Sequence, residues 1–187
     1  MKKINCLFIL ITIVLAFFKI FSELDQGIVI FLKNGSIVLT LFIPYILNKL
    51  FKLNINEGLI FLWIIFIFLA HYLGVICELY NKVEAFDKIT HTFSGFLSSG
   101  VAILILDKIK SKKLLFNIIF ILSFTSFCAC LWEVFEFVCN EFVGGDAQRV
   151  ALTGVSDTMW DMIVALLGSI IVIIVYYFKK YSVKEIQ

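Results

Sequence analysis

Strict alternation of polar and apolar residues is missing from this chain. Its apolar runs are continuous, which argues against a closed β-barrel, whose strands alternate between two faces. Charge is scarce: 16% of residues are charged, and a net charge of +2 is too small to argue for nucleic acid. The cysteines (Cys6, Cys77, Cys128, Cys130 and Cys139) are odd in number and lie mostly inside apolar runs, so they imply no disulfide framework. Cys128 and Cys130 are two apart and face different sides of a helix, a poor pair for a metal. Cys77 and Cys139 fall near one surface, where free thiols are expected. Internal repeats, low-complexity tracts and a second domain are all lacking. No small-residue cleavage site follows the apolar run after Met1-Lys2-Lys3, so the expectation is an uncleaved first span.

Apolar residues make up 61% of the 187, with 21 Phe and a mean hydropathy of +1.03. A soluble domain averages roughly 45–50% apolar. The excess runs along the whole length, which predicts an all-α, polytopic six-span transmembrane bundle forming one integral membrane domain, 1–187. The expected spans are about 4–21, 27–47, 58–77, 88–106, 114–139 and 157–178. The second is the least regular, with Lys33-Asn34-Gly35-Ser36 near its start and Pro44, the one proline, near its end.

Basic residues set orientation. With the N-terminus cytoplasmic, Lys2, Lys3, Lys49, Lys52, Lys108, Lys110, Lys112, Lys113, Lys179, Lys180 and Lys184 lie inside. Lys19, Lys33, Lys82, Lys88 and Arg149 lie outside. The expected location is the cytoplasmic (inner) membrane of a bacterium, with both termini cytoplasmic. Acidic residues show the reverse bias. Only Glu57, Asp107 and Glu185 fall on the inner side, and a cation-binding outer site is one reason for such a bias.

Three polar pairs at helical spacing interrupt the apolar runs: Asp87/His91, Glu133/Glu136 and Asp157/Asp161. Residues three or four apart share a helix face. The fourth and sixth spans run inward and the fifth outward, so all six groups fall within roughly 10 Å of the outer surface at 1.5 Å per residue. Asp87 also reads as an N-cap, and Asp157 as a first-turn acid after a Ser156 cap. His91 by itself also reads as a hydrogen-bonded packing residue. Glu133 and Glu136 resist such readings. They sit near a helix C-terminus, where the dipole disfavours anions, among Leu131, Trp132, Val134, Phe135, Phe137 and Val138. Asp161 lies a turn inside the sixth span, and acids in such places are functional or paired by default.

A proton-sharing network could balance these carboxylates. A divalent metal ion does so more simply, with Asp87, His91, Glu133, Glu136, Asp157 and Asp161 as candidate ligands. Mixed carboxylate and imidazole donors suit zinc, manganese or iron, and an all-oxygen subset suits magnesium or calcium, so the ion's identity stays open. Of the other polar residues, His71 reads as a hydrogen-bonder between helices, and Glu78 either as a further member of the acidic cluster or as an interfacial acid. Gly95/Ser99 and Ala165/Ser169, with Gly168 adjacent, read as close helix packing. Trp132, Trp160, Tyr72 and Tyr80 fit an outer aromatic belt. The connection 140–156, with Gly144-Gly145-Asp146 and Arg149, reads as a connector or a lid.

The stretches Leu73-Gly74, Phe86-Asp87-Lys88-Ile89-Thr90-His91 running into Ser94-Gly95, Trp132-Glu133-Val134-Phe135-Glu136, and Asp157-Thr158-Met159-Trp160-Asp161-Met162 to Leu167-Gly168 resemble the bacterial YjdF-like integral membrane family. The Asp-Lys-x-x-His segment is also distantly similar to VanZ-type membrane proteins, a group associated with glycopeptide tolerance. The resemblance covers roughly the third to sixth spans. It implies a polytopic helical architecture, picks out the same polar residues and supplies no reaction.

Three functions fit. One is a metal-dependent hydrolase or transferase acting on a lipid-linked or envelope-precursor substrate, with Glu136 or His91 as general base. Another is a cation- or proton-coupled transporter, against which the nearly uncharged inner halves of these spans count. The third is a non-catalytic membrane scaffold whose acids form a structural network. The bilayer is the expected partner in each case, and the residues leave the oligomeric state open.

Overall fold

A computed structural model describes residues 1–144, 148 and 153–182. The described residues are helical almost throughout and contain no strand. The helices are α1 Lys2–Phe21, α2 Ile28–Gly35, α3 Ile37–Phe51, α4 Glu57–Ile67, α5 Leu79–Lys82, α6 Phe86–Lys108, α7 Leu114–Val143 and α8 Ser156–Ser182. A π-helical stretch, Phe68–Ile76, prolongs α4. Among the described residues, six segments are long and apolar enough to cross a bilayer: Lys2–Phe21, Ile28–Phe51, Glu57–Ile76, Phe86–Lys108, Leu114–Phe142 and Ser156–Phe178. Their outward faces carry large apolar side chains such as Phe17, Leu39, Leu115 and Val175, as lipid contact requires. Arg149, Gly145, Asp146, Lys184 and Glu185, which entered the reading of charge and loop, lie outside the described residues.

Two compact units divide the chain, Met1–Thr90 and His91–Gln187. The division falls inside α6, which runs through it unbroken, so the first turn of α6 is fixed to the rest of that helix.

In the first unit Ile9 and Ala16 of α1, Ile37 and Leu41 of α3, and Ile60, Ile64, Ile67 and Ile76 form the core. The irregular second span is explained here. The helix is interrupted at Ser36, where α2 ends and α3 begins, and α3 then passes Pro44 and reaches Phe51, beyond the expected end near 47. Proline has no N–H, so the carbonyl of Thr40, four residues earlier, loses its helical donor. The indole Nε1 of Trp63 donates to that carbonyl at 2.8 Å, which lets a proline stay inside an apolar span. The interruption at Ser36 is met similarly. The carbonyl of Lys33 accepts from Ser36 Oγ at 2.7 Å and lies 3.2 Å from His71 Nε2. His71 therefore joins two helices, as its sequence reading expected. At the start of α4 the Asn56 side chain accepts from the N–H of Leu59 at 2.9 Å, an N-cap.

In the second unit α6 and α8 run in the same sense with α7 against them. Gly95 faces Ala165 and Ser99 meets Ser169, whereas Ser98 of α6 meets Thr125 of α7. A Cβ on Gly95 would lie 2.0 Å from the carbonyl oxygen of Ala165, and one on Gly168 would lie 2.3 Å from that of Thr92. Only glycine permits such an approach. Below that contact is a hydroxyl layer. Ser99 Oγ donates to Ser169 Oγ at 2.8 Å, Ser98 Oγ to Thr125 Oγ1 at 3.1 Å, and Thr125 Oγ1 to Ser169 Oγ at 3.2 Å. Farther along, Ala102, Leu106, Ile121 and Ile173 close the unit with an apolar layer.

Candidate carboxylate and histidine site

The starts of α6 and α8 and the final third of α7 carry the polar pairs. Helix α6 begins at Phe86, so Asp87 stands in its first turn rather than as its cap. Helix α8 begins at Ser156, with Asp157 in its first turn. Both carboxylates sit where the helix dipole favours an anion. One turn further on, His91 and Asp161 project from the same faces.

These side chains turn inward. Asp87 is 9% exposed, His91 7%, Glu133 5%, Asp157 7% and Asp161 2%. One ligand atom each from Asp87, His91 and Asp161 lies within 4.8 Å of the other two. His91 Nε2 is 3.8 Å from Asp161 Oδ1, an ion-pair separation too long for a hydrogen bond. Lys88 Nζ approaches Asp87 Oδ2 at 3.3 Å.

Glu133 on α7 interacts electrostatically with His91 and Asp161. Gln148 Nε2 donates to the Glu133 carbonyl at 3.1 Å and reaches Oε2 at 3.4 Å. Oε1 is buried and has no hydrogen-bond partner among the described residues. A buried carboxylate oxygen left without a donor is costly. Glu136, three residues on, is half-buried and takes a different partner: the Trp132 indole donates to its Oε1 at 2.7 Å.

The structure thus gathers Asp87, His91 and Asp161, sets Glu133 beside them, buries Asp157 one turn before Asp161, and leaves Glu136 bound to a tryptophan on its own helix. Gln148 and Thr158, which also approach the Glu133 carboxylate, were not singled out from sequence. Thr158 carried a signal, a hydroxyl three residues before Asp161 on a related face. Gln148 carried none. All five cysteines are free thiols.

The donor set suits a cation. Asp87, Glu133, Asp157 and Asp161 offer four formal negative charges against the single positive charge of Lys88, and His91 as a neutral imidazole offers a nitrogen lone pair. A divalent ion would offset two of the remaining three negative charges. Three ligands about 2.1 Å from one ion stand roughly 3.0–3.6 Å apart, so donors separated by up to 4.8 Å need to draw in by about an ångström, within the reach of side-chain rotation.

The fold and this group define a polytopic integral membrane protein with a buried carboxylate–imidazole cluster. The family model described as "Predicted membrane protein (DUF2238)" matches residues 4–181, and the chain belongs to that family. A protein of Thermotoga maritima, described only as uncharacterized, is 28% identical over 143 residues, which is 74% of this chain and 72% of the relative. No solved structure matches. The expected membership in a membrane family without an assigned reaction is met, whereas the YjdF and VanZ names are not what the match reports.

Proposed function

We propose that the protein lies in the cytoplasmic membrane of a bacterium with both termini inside, and holds one divalent metal ion at the outer face. Asp87, His91 and Asp161 are its ligands, and the work of the site is hydrolysis or transfer of a lipid-linked or envelope-precursor group. The observation that carries this reading is the convergence of the three buried donors beside the unpartnered Oε1 of Glu133. A bound divalent ion supplies polarisation of a substrate oxygen and acidifies water. The chain's own residues supply the rest. His91, committed as a ligand through Nε2, leaves proton acceptance to the carboxylates of α7. Glu133, with a buried oxygen that has no described donor, is better suited to that step than Glu136, whose carboxylate holds the Trp132 indole. Asp157 backs Asp161 from one turn away. The apolar layer of Ala102, Leu106, Ile121 and Ile173 favours a site entered from one end over a path through the unit.

Elemental analysis of purified protein tests this. About one divalent ion per chain is expected, lost in His91→Ala and Asp161→Asn and retained in Glu136→Gln. A well-folded wild type that takes up no divalent metal when offered it would sink the reading and leave the acids as a structural network.

A further inference from the structure

The first unit has an open groove of about 750 Å³ between α1 and α3, remote in sequence from the carboxylate group. Lys2 and Lys3 stand at one end of it. Ile9 and Ile13 continue along α1, and Phe42 and Tyr45 form the α3 wall. Both lysines are exposed and have no ion-pair partner among the described residues. From Lys2 to Ile13 the stripe runs roughly 16 Å at 1.5 Å per residue. Beyond the two ammonium groups and the Tyr45 phenol, the groove's lining side chains are apolar apart from the Cys6 thiol.

We propose that this groove binds one anionic phospholipid, with an acyl chain along Ile9, Ile13 and Phe42 and the phosphate at Lys2 and Lys3. The order of chemistry along the stripe, two cations and then about three turns of apolar wall, matches the order along such a lipid. A free phosphate would leave the apolar wall uncovered, and a zwitterionic lipid would leave two cations against one net-neutral head group. Basic clefts between membrane helices take anionic head groups in this way. The inference is independent of the metal reading.

Native mass spectrometry of the full chain, titrated in detergent with phosphatidylglycerol or phosphatidylcholine, tests it. Each lysine near a lipid surface contributes about fivefold in affinity, so Lys2→Gln/Lys3→Gln is expected to weaken phosphatidylglycerol binding roughly thirtyfold and leave phosphatidylcholine unchanged. Ile13→Trp, which fills the groove without altering charge, is expected to weaken binding of both lipids. Lys49→Gln/Lys52→Gln removes two lysines of the same unit that do not line the groove, and is expected to have little effect. Thermal melting of each variant confirms that it is folded. Equal binding of the two lipids by wild type, undiminished phosphatidylglycerol binding in the Lys2/Lys3 variant, or an equal loss in the Lys49/Lys52 variant would overturn the proposal.

Discussion

Helices α6, α7 and α8 hold two opposite solutions along their length. Where α6 and α8 begin, Asp87, His91, Glu133, Asp157 and Asp161 are buried together, and Glu133 Oε1 has no described donor. Toward the other end, Ala102, Leu106, Ile121 and Ile173 pack with no polar atom among their side chains. Buried charges that are costly to desolvate add little net stability, and apolar replacements of similar volume often stabilise. The apolar end is therefore what holds the helices together, and the acidic end is what that packing carries. Between them, Gly95 and Gly168 set how closely α6 and α8 approach.

Gly95→Ala is expected to have the largest effect. Its Cβ would meet the backbone oxygen of Ala165, which has no rotamer to move aside, so the helices must separate. A cost of about 3 kcal/mol, the upper part of the overpacking range, is expected in thermal or denaturant unfolding in detergent. Because Gly95 lies one turn past His91, the displacement also reaches the Asp161 pairing, and metal uptake falls along with stability. A Gly95→Ala protein of normal stability would mean that α6 and α8 are not in this contact.

Six long apolar runs made the all-α, six-span architecture legible before any coordinates, because hydropathy in a membrane is a constraint on backbone hydrogen bonding as much as on side chains. The ends were less legible. Helix α3 passes Pro44 because a tryptophan on another helix takes the freed carbonyl, and no local pattern announces a donor 23 residues away. Spacing found the acidic pairs but could not rank them. Glu133 and Glu136 are three apart, so about 60° of helix rotation separates them, enough to turn one toward His91 and the other toward Trp132. Which of the two faces inward depends on the rotation of α7 against its neighbours. The hydroxyl layer was half visible. Ser99 and Ser169 stood out as small residues for packing, but their bond to Thr125 required the antiparallel register of α7.

A smaller loss is expected at the apolar end. Ile121 is fully buried, and Ile121→Ala opens a cavity there. Lipid is as apolar as the helix interface, so the transfer part of the usual penalty shrinks and mainly lost packing remains. That points to about 2 kcal/mol, the low end of the soluble range, again read by unfolding in detergent. The diagnostic readout is metal uptake per folded chain, which is expected to match wild type. Loss of uptake in proportion to stability would mean that the two ends are not separable.

Ser99→Ala is expected to have the smallest effect and sharpens the boundary between the two ends. Ser99 and Ser169 are fully buried, and the substitution removes one donor from Ser169 while leaving Thr125 still bonded to it. Because one bond remains, no hydroxyl oxygen is orphaned, and the cost is near the average for an interhelical bond in a membrane, about 0.6 kcal/mol. A loss above about 2 kcal/mol would mean that the hydroxyls act as one network, each bond strengthening the next. In that case the acidic end would rest on the hydroxyl layer as much as on the apolar one. Ser98→Ala/Ser99→Ala settles which, because Ser98 bonds Thr125 and Ser99 bonds Ser169: additive losses describe independent bonds, and a double variant no worse than the worse single describes one cooperative unit.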